Sequence, residues 1–202
     1  MNAVSAHPFA TLTPEFLLAA VESSGFVCDG RLFPLNSYEN RVYQVGVEEG
    51  EPLIAKFYRP ARWSDAQIAE EHAFCRELAD LELPVVAPLA DENDDTLRHF
   101  GGFRFALFPR RGGHAPELDH DDTLLTLGRV LARIHRVGAI KPFLHRPTLN
   151  SLSHGHASVA LLSASFIPPS LKPAYDSVAR DLLARVDAAL AECAPLRLIR
   201  TH

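Results

Sequence analysis

Apolar and polar residues alternate along two neighbouring stretches in the first third of the chain, which is the pattern of β-strands. In RVYQVGV, Tyr43 and Val45 share one face, and in LIAKFY the residues Ile54, Lys56 and Tyr58 share one side. The polar segment EEGE between the two stretches predicts a turn. The pattern therefore predicts an antiparallel pair of strands, with Lys56 on a side that is not plainly solvent-facing.

The helix after this hairpin has a clearly marked start. Ser64 and Gln67 have the spacing of a capping box, and Trp63 and Ile68 occupy the positions of a hydrophobic staple. These signals fix the phase of the helix, so its apolar stripe can be counted from Ile68. Glu71 falls inside that stripe, and we expect its carboxylate to face inward.

Glycine and proline mark two further features of the first half. Thr13, followed by a proline at the first helical position, predicts a helix from about Pro14 to Ser24. Gly101 and Gly102 predict a tight reversal that joins TLRHF to FRFALF in a second hairpin. The first half therefore predicts a helix and an antiparallel sheet.

The composition changes after this sheet. The stretch PRRGGHAPELDHDD is rich in glycine, proline and charge, which is typical of a connector between lobes. Beyond it, LLTLGRVLARIH and SVARDLLARVDAAL place apolar residues at helical spacing. His154 and His156, which lie between these helices, are expected in a solvated loop. The predicted division is a first lobe at 1–109, a connector at 110–122 and a helical lobe at 123–202.

Composition and charge exclude some classes of protein. The chain has 202 residues, 47% of them apolar and 22% charged, which suits one sizeable core or two small lobes. A net charge of -5 argues against a protein whose main work is neutralising nucleic-acid phosphates. No apolar run approaches the ~20 residues that span a bilayer, so we expect a cytoplasmic protein without a membrane partner. The spacing of Cys28, Cys75 and Cys193 indicates neither a disulfide framework nor a metal site.

Lys56 is the first candidate for chemistry. A lysine among apolar residues is costly to bury unless it is paired, and Glu71 on the inward stripe of the next helix is the candidate partner. Such a pair would present a fixed positive charge to phosphate groups. The alternative is that Lys56 lies on an edge strand and extends its ammonium into water. The residue pattern by itself leaves both interpretations open.

The polar turn NSYEN, upstream of Lys56, is the second candidate. Backbone N–H groups, the Ser37 hydroxyl and the Asn40 side chain are all possible donors to phosphate oxygens. The turn contains no glycine, however, and taken alone it is better explained as an ordinary Asx-rich turn.

The segments LNSYENRVYQV, AKFYRPARWS, QIAEEHAF, GGFRFALFP, LGRVLARIH and FLHRPT together closely resemble the bacterial stress response kinase A family. The resemblance implies an α+β, protein-kinase-like fold of the aminoglycoside phosphotransferase type. Its N-lobe would contain an antiparallel sheet, and an incomplete helical C-lobe would follow. The implied activity is transfer of the ATP γ-phosphate to serine or threonine hydroxyls of proteins, with Mg²⁺, by a monomeric kinase with a role in stress response.

The resemblance also assigns roles to individual residues. Ser37 resembles the ATP-contacting position of the first loop, with Asn40 beside it, and Lys56 resembles the lysine that binds the phosphates. Glu71 would be its ion-pair partner. Backbone groups from Phe108 to Arg110 would face the adenine base. These residues form the predicted ATP-binding site.

The end of the sequence departs from the family pattern. RLIRTH resembles the start of a motif that continues as HGDxHxGN, whose aspartate is the catalytic base and whose asparagine binds magnesium. Those residues would follow His202, so the chain as given is expected to be inactive and to contain no catalytic or metal-binding residue. Two alternatives remain: a small-molecule kinase that acts on an aminoglycoside, choline or homoserine, and a non-catalytic module.

Overall fold

The computed structural model describes residues 7–201, so His202 lies outside the described residues. These residues fall into two compact units, one formed by residues 7–145 with Arg200 and Thr201, the other by Arg146–Ile199. The elements of the first unit, in chain order, are α1 (Pro14–Glu22), β1 (Cys28–Leu35), β2 (Arg41–Val47), β3 (Leu53–Phe57), α2 (Asp65–Asp80), β4 (Arg98–Phe100), β5 (Phe103–Pro109) and α3 (Asp121–Gly138). The lobe boundaries predicted at 109 and 122 stay a prediction.

The five strands of the first unit form one antiparallel sheet with the order β1-β2-β3-β5-β4. The predicted antiparallel sheet is therefore confirmed, including the second hairpin through Gly101 and Gly102. Both glycines have positive φ angles of 51° and 85°, which side chains rarely tolerate.

The position of β3 decides between the two interpretations of Lys56. Within the sheet, Lys56 pairs with Val42 of β2 on one side and with Ala106 of β5 on the other. Alternate residues of β3 are buried, and Lys56 lies on the half-buried face. Lys56 is therefore on the central strand, and the edge-strand alternative is wrong.

Helix α2 begins as its sequence predicts. The Ser64 hydroxyl accepts a hydrogen bond from the Gln67 backbone N–H at 3.2 Å, and the Gln67 side chain accepts one from the Ser64 N–H at 2.9 Å. The Gln67 amide also donates to the backbone oxygen of His145 at 3.0 Å. This capping box fixes the rotation of α2, which places Ile68 and His72 in the interior and Glu71 at its edge.

The main core lies between α1 and one face of the sheet. Phe57 and Phe105 are fully buried and stacked, with ring centroids 5.2 Å apart, and Leu17 of α1 packs in the same cluster. The other face of the sheet carries Lys56 and packs against α2 through Ile68. The core thus stabilises the sheet from one side and leaves the other face for the candidate site.

A buried arginine joins the last described residues to α2. Arg200 is 3% exposed, and its guanidinium donates to both carboxylate oxygens of Glu77 at 2.7 and 3.0 Å. It also donates to the Val137 carbonyl at 3.0 Å and lies 4.3 Å from the centre of the Phe74 ring. The guanidinium lowers the pKa of the Glu77 carboxyl below its usual range. The segment at Arg200 is thus held to α2 through Glu77 and to α3 through Val137.

The second unit is helical, with a six-residue π-helix (Ser151–His156) followed by α4 (Ala157–Ser165) and α5 (Lys172–Glu192). His154 and His156 belong to the π-helix, so the prediction of a loop at these histidines is wrong. The apolar side chains of α5 are largely exposed: Val178 by 68% and Leu182 by 59%. Among the described helices, none is both long and apolar enough to cross a membrane.

Candidate functional site

A cleft of about 320 Å³ opens on the face of the sheet that carries Lys56. Strands β2, β3 and β5, helix α2 and the segments after α2 and β5 all contribute to it. Its lining residues are Val42, Ile54, Lys56, Glu71, His72, Cys75, Val86, Phe108, Pro109 and Arg111. The cleft therefore combines apolar walls with a small number of charged groups, which is typical of a small-molecule site.

Lys56 and Glu71 form an ion pair in this cleft. The Lys56 ammonium lies 3.3 Å from a Glu71 carboxylate oxygen, and the two side chains are 24% and 26% exposed. The same ammonium lies 4.9 Å from the centre of the Tyr58 ring, within the range of a cation–π contact. The structure thus brings together the lysine and the glutamate that the sequence pattern paired, and it fixes a positive charge facing the cleft.

Apolar side chains supply most of the remaining wall. Phe108 of β5 lies opposite Ile54 of β3 in the strand ladder, and both line the cleft with Val42 and Val86. Their carbon atoms suit a flat aromatic ring, because burying such a ring against apolar surface removes both from water. The walls and the ammonium therefore match a ligand with an aromatic part and an anionic part.

Phe108, near the end of β5, and Arg110, which follows β5, were both predicted to belong to the site, but the structure places them differently. Phe108 lines the cleft, whereas Arg110 is exposed and lies outside its lining. The next residue, Arg111, does line the cleft and brings a second cation to it. The sequence gives no direction for the Arg111 side chain, because the connector that contains it has no periodicity.

Ser37 and Asn40 lie in the bend between β1 and β2 and do not line the cleft. The Asn40 side-chain oxygen accepts a hydrogen bond from the Arg59 backbone N–H at 3.2 Å. Between them, Glu39 accepts hydrogen bonds from the side chains of Arg62 at 2.7 Å and Trp63 at 2.8 Å. This bend is thus attached to the segment that precedes α2, and the ATP-contacting roles of Ser37 and Asn40 stay predictions.

His72 is a buried residue of the cleft that the sequence did not single out as functional. It is 2% exposed, and its two ring nitrogens lie 2.6 Å from the Tyr58 hydroxyl and 2.8 Å from the Thr96 hydroxyl. The pKa of His72 is lowered to about 4, mainly because the imidazole is buried; the Glu71 carboxylate opposes the shift, and the charges of Lys56 and Arg98 add to it. The imidazole is therefore neutral at neutral pH. The sequence feature that could have indicated His72 was its position on the inward-facing stripe of α2.

The pKa of His72 predicts how stability depends on pH. A histidine in the unfolded chain has a pKa of about 6.5, so between about pH 6.5 and 4 the unfolded state binds more protons than the folded state. The contribution of His72 is therefore complete above about pH 6.5 and is lost as the pH falls toward 4. We expect the free energy of unfolding to drop by about 2 kcal/mol between about pH 7.5 and pH 5 from this residue.

Urea unfolding at these two pH values checks this expectation. His72→Gln keeps a donor and an acceptor but does not titrate, so it should lose much less stability over the same interval. An equal drop in the wild type and in His72→Gln would contradict the assignment of a neutral buried histidine.

The described residues offer little to a metal ion at the cleft. Mg²⁺ prefers oxygen ligands such as carboxylates, and Glu71, already paired with Lys56, is the one carboxylate among the lining residues. In residues 7–201, one group with metal-ligand spacing is found, Glu117, Asp119 and His120, and all three are exposed. The residues that line the cleft therefore suit a phosphate-bearing ligand better than a metal ion bound by protein groups alone.

Comparisons with known proteins identify relatives of this chain in sequence and in fold. The family model described as "Phosphotransferase enzyme family" matches residues 32–202. The chain is 43% identical over 185 residues to stress response kinase A of Shigella flexneri, which covers 91% of this chain and 56% of that protein. It is 40% identical over 183 residues to serine/threonine protein kinase RdoA of Salmonella typhimurium, which covers 90% of this chain and 56% of that protein. The chain thus spans about half the length of these curated relatives.

Solved structures show the same fold at low sequence identity. The amicoumacin kinase hAmiN, in complex with AMP-PNP, Ca²⁺ and Ami, has a TM-score of 0.64 and 18% identity, covering 89% of this chain and 54% of that one. A spectinomycin phosphotransferase, in complex with ADP and spectinomycin, has a TM-score of 0.60 and 14% identity, covering 91% of this chain and 59% of that one. The predicted protein-kinase-like fold of the aminoglycoside phosphotransferase type is confirmed.

Proposed function

Because the chain belongs to the phosphotransferase enzyme family, we propose that it is the ATP-binding part of an ATP-dependent serine/threonine protein kinase with a role in stress response. The observation that carries this proposal is the Lys56–Glu71 ion pair at 3.3 Å in a cleft with apolar walls. The names of its relatives at 40–43% identity support the protein-kinase reading.

Each part of the cleft has a role in this proposal. The adenine base lies against the apolar walls near Ile54 and Phe108, where it leaves water. The Lys56 ammonium binds phosphate oxygens, and Glu71 keeps the ammonium in place before the nucleotide arrives. Because the charge is already positioned, little reorganisation is needed when negative charge develops on the transferred phosphoryl group. Arg111 adds a second positive charge near the phosphates.

The proposed function also includes a magnesium ion and a protein that accepts the phosphate. Mg²⁺, bound with ATP, would neutralise charge on the phosphates. The cleft lining includes no carboxylate besides Glu71, so the lining itself supplies no second carboxylate as a base for the acceptor hydroxyl. We therefore expect this chain by itself to bind the nucleotide without transferring phosphate at an appreciable rate. A cytoplasmic location and a monomeric state complete the proposal.

Thermal unfolding with and without Mg-ATP tests the proposed function. A ligand at ten times its dissociation constant stabilises the folded state by about 1.4 kcal/mol, which raises the Tm of a domain of this size by roughly 3–6 °C. We expect a saturable shift of about this size or smaller, and none with inorganic phosphate at the same concentration. The absence of a Tm shift at any ATP concentration would contradict nucleotide binding. Rapid saturable phosphotransfer would contradict the expectation that this chain by itself does not transfer phosphate.

A further inference from the structure

Three buried polar side chains form a continuous hydrogen-bonded row beside Lys56. The Tyr58 hydroxyl lies 2.6 Å from Nε2 of His72, and Nδ1 of His72 lies 2.8 Å from the Thr96 hydroxyl. The exposed fractions of Tyr58, His72 and Thr96 are 2%, 2% and 8%. A buried network in which each polar group has a partner restricts its members to one arrangement, because any other leaves a polar group unsatisfied.

The first member of this row contacts the lysine directly. Tyr58 follows β3 by one residue and lies on the same side as Lys56, and its ring centre is 4.9 Å from the ammonium nitrogen. The Tyr58 backbone N–H donates to the Arg104 carbonyl at 2.9 Å, so the tyrosine is held at both its main chain and its hydroxyl. The ring therefore presents a fixed face to the ammonium.

Helix α2 contacts this pair through two consecutive residues. Glu71 binds the ammonium of Lys56 at 3.3 Å, and His72 contacts the hydroxyl of Tyr58. The neutral imidazole offers one donor and one acceptor, so it satisfies both hydroxyls at once and places no charge beside the lysine. The ammonium thus contacts both a carboxylate of α2 and the face of an aromatic ring.

We propose that Tyr58 is a positioning residue for Lys56, and that its hydrogen bond to His72, itself bonded to Thr96, fixes the ring that keeps the ammonium directed at the phosphates. The inference rests on the proposed nucleotide function, since it states how the binding lysine is held. Tyr58 acts through Lys56 and not on the base, so its loss affects ligands that carry phosphates and spares those that do not.

Calorimetric titration of the full chain with ATP and with adenosine tests this selectivity. Tyr58→Leu removes the ring, and we expect ATP to bind about tenfold more weakly while adenosine affinity changes less than about twofold. Tyr58→Phe keeps the ring but frees it from His72, so a smaller loss of roughly threefold for ATP is expected. Tyr43 lies on the face of β2 that points away from the cleft, so Tyr43→Phe should change neither affinity. Unchanged ATP affinity, or an equal loss for both ligands, would overturn the proposal.

A second measurement tests the positioning role of Tyr58 without any nucleotide. The rate at which an acylating reagent labels the Lys56 amine, followed by mass spectrometry, reports how firmly the side chain is held. We expect labelling to be at least about threefold faster in Tyr58→Leu and measurably faster in Tyr58→Phe and Thr96→Val. Equal rates in all variants that fold would overturn the positioning role. Absence of ATP binding by the wild type would instead contradict the proposed function, and the labelling rates would still decide the role of Tyr58.

Discussion

Replacing Lys56 by alanine is expected to weaken ATP binding by roughly ten- to a hundredfold, because charge-assisted bonds to phosphate oxygens contribute about 1.5–3 kcal/mol. The same substitution removes the ammonium that faces Glu71, so the charge of this carboxylate is no longer offset by Lys56 and disfavours the phosphates. Adenosine, which has no phosphate, should bind Lys56→Ala about as well as it binds the wild type. Calorimetric titration of both ligands measures the difference.

Lys141→Ala is the matched control for this substitution. The Lys141 side chain is 64% exposed and lies outside the lining of the cleft, so its loss should leave ATP affinity unchanged within about twofold. An unchanged ATP affinity in Lys56→Ala, or an equal loss of affinity in both variants, would show that the Lys56 charge is not what binds the phosphates.

Arg200→Ala is expected to cost roughly 3 kcal/mol of folding free energy, the largest effect on stability among the substitutions considered. The change removes a 3% exposed guanidinium together with its two bonds to Glu77, its bond to the Val137 carbonyl and its contact with the Phe74 ring. Among the described residues, Glu77 then keeps the ion pair with the exposed ammonium of Lys141 at 3.4 Å. Losing one partner of a buried pair is strongly destabilising. Urea unfolding at neutral pH measures this cost.

Arg197→Ala provides the comparison for Arg200. Arg197 is exposed, so its removal should change stability by less than about 0.5 kcal/mol. A similar small effect for Arg200→Ala would mean that the segment around Arg200 contributes little to the stability of the first unit.

Local signals explain why the pair at the centre of the site could be predicted. Alternation along LIAKFY gave Lys56 its side of the strand, and the capping box at Ser64 gave Glu71 its direction. Both signals lie within a few residues of what they predict. Whether Lys56 lay on an edge or a central strand was not predictable in this way, because that depends on β5, about fifty residues further along.

The residues that sequence reasoning missed depend on distant contacts. Thr96 meets His72 across 24 residues, and Arg200 meets Glu77 across 123 residues. Val86 lines the cleft from a segment without regular structure, where no periodicity indicates a direction. The loop prediction at His154 failed because glycine and histidine there favour helix weakly, whereas the structure caps this helix with Asn150, which accepts a bond from the Ser153 N–H.

The central claim is that this cleft binds ATP through Lys56, and a crystal structure of the chain with Mg²⁺ and a non-hydrolysable ATP analogue tests it most directly. The account predicts a phosphate oxygen within hydrogen-bonding distance of the Lys56 ammonium, the Lys56–Glu71 pair retained, and the base against Ile54 and Phe108. A nucleotide bound elsewhere, or bound in the cleft with its phosphates turned away from Lys56, would contradict it.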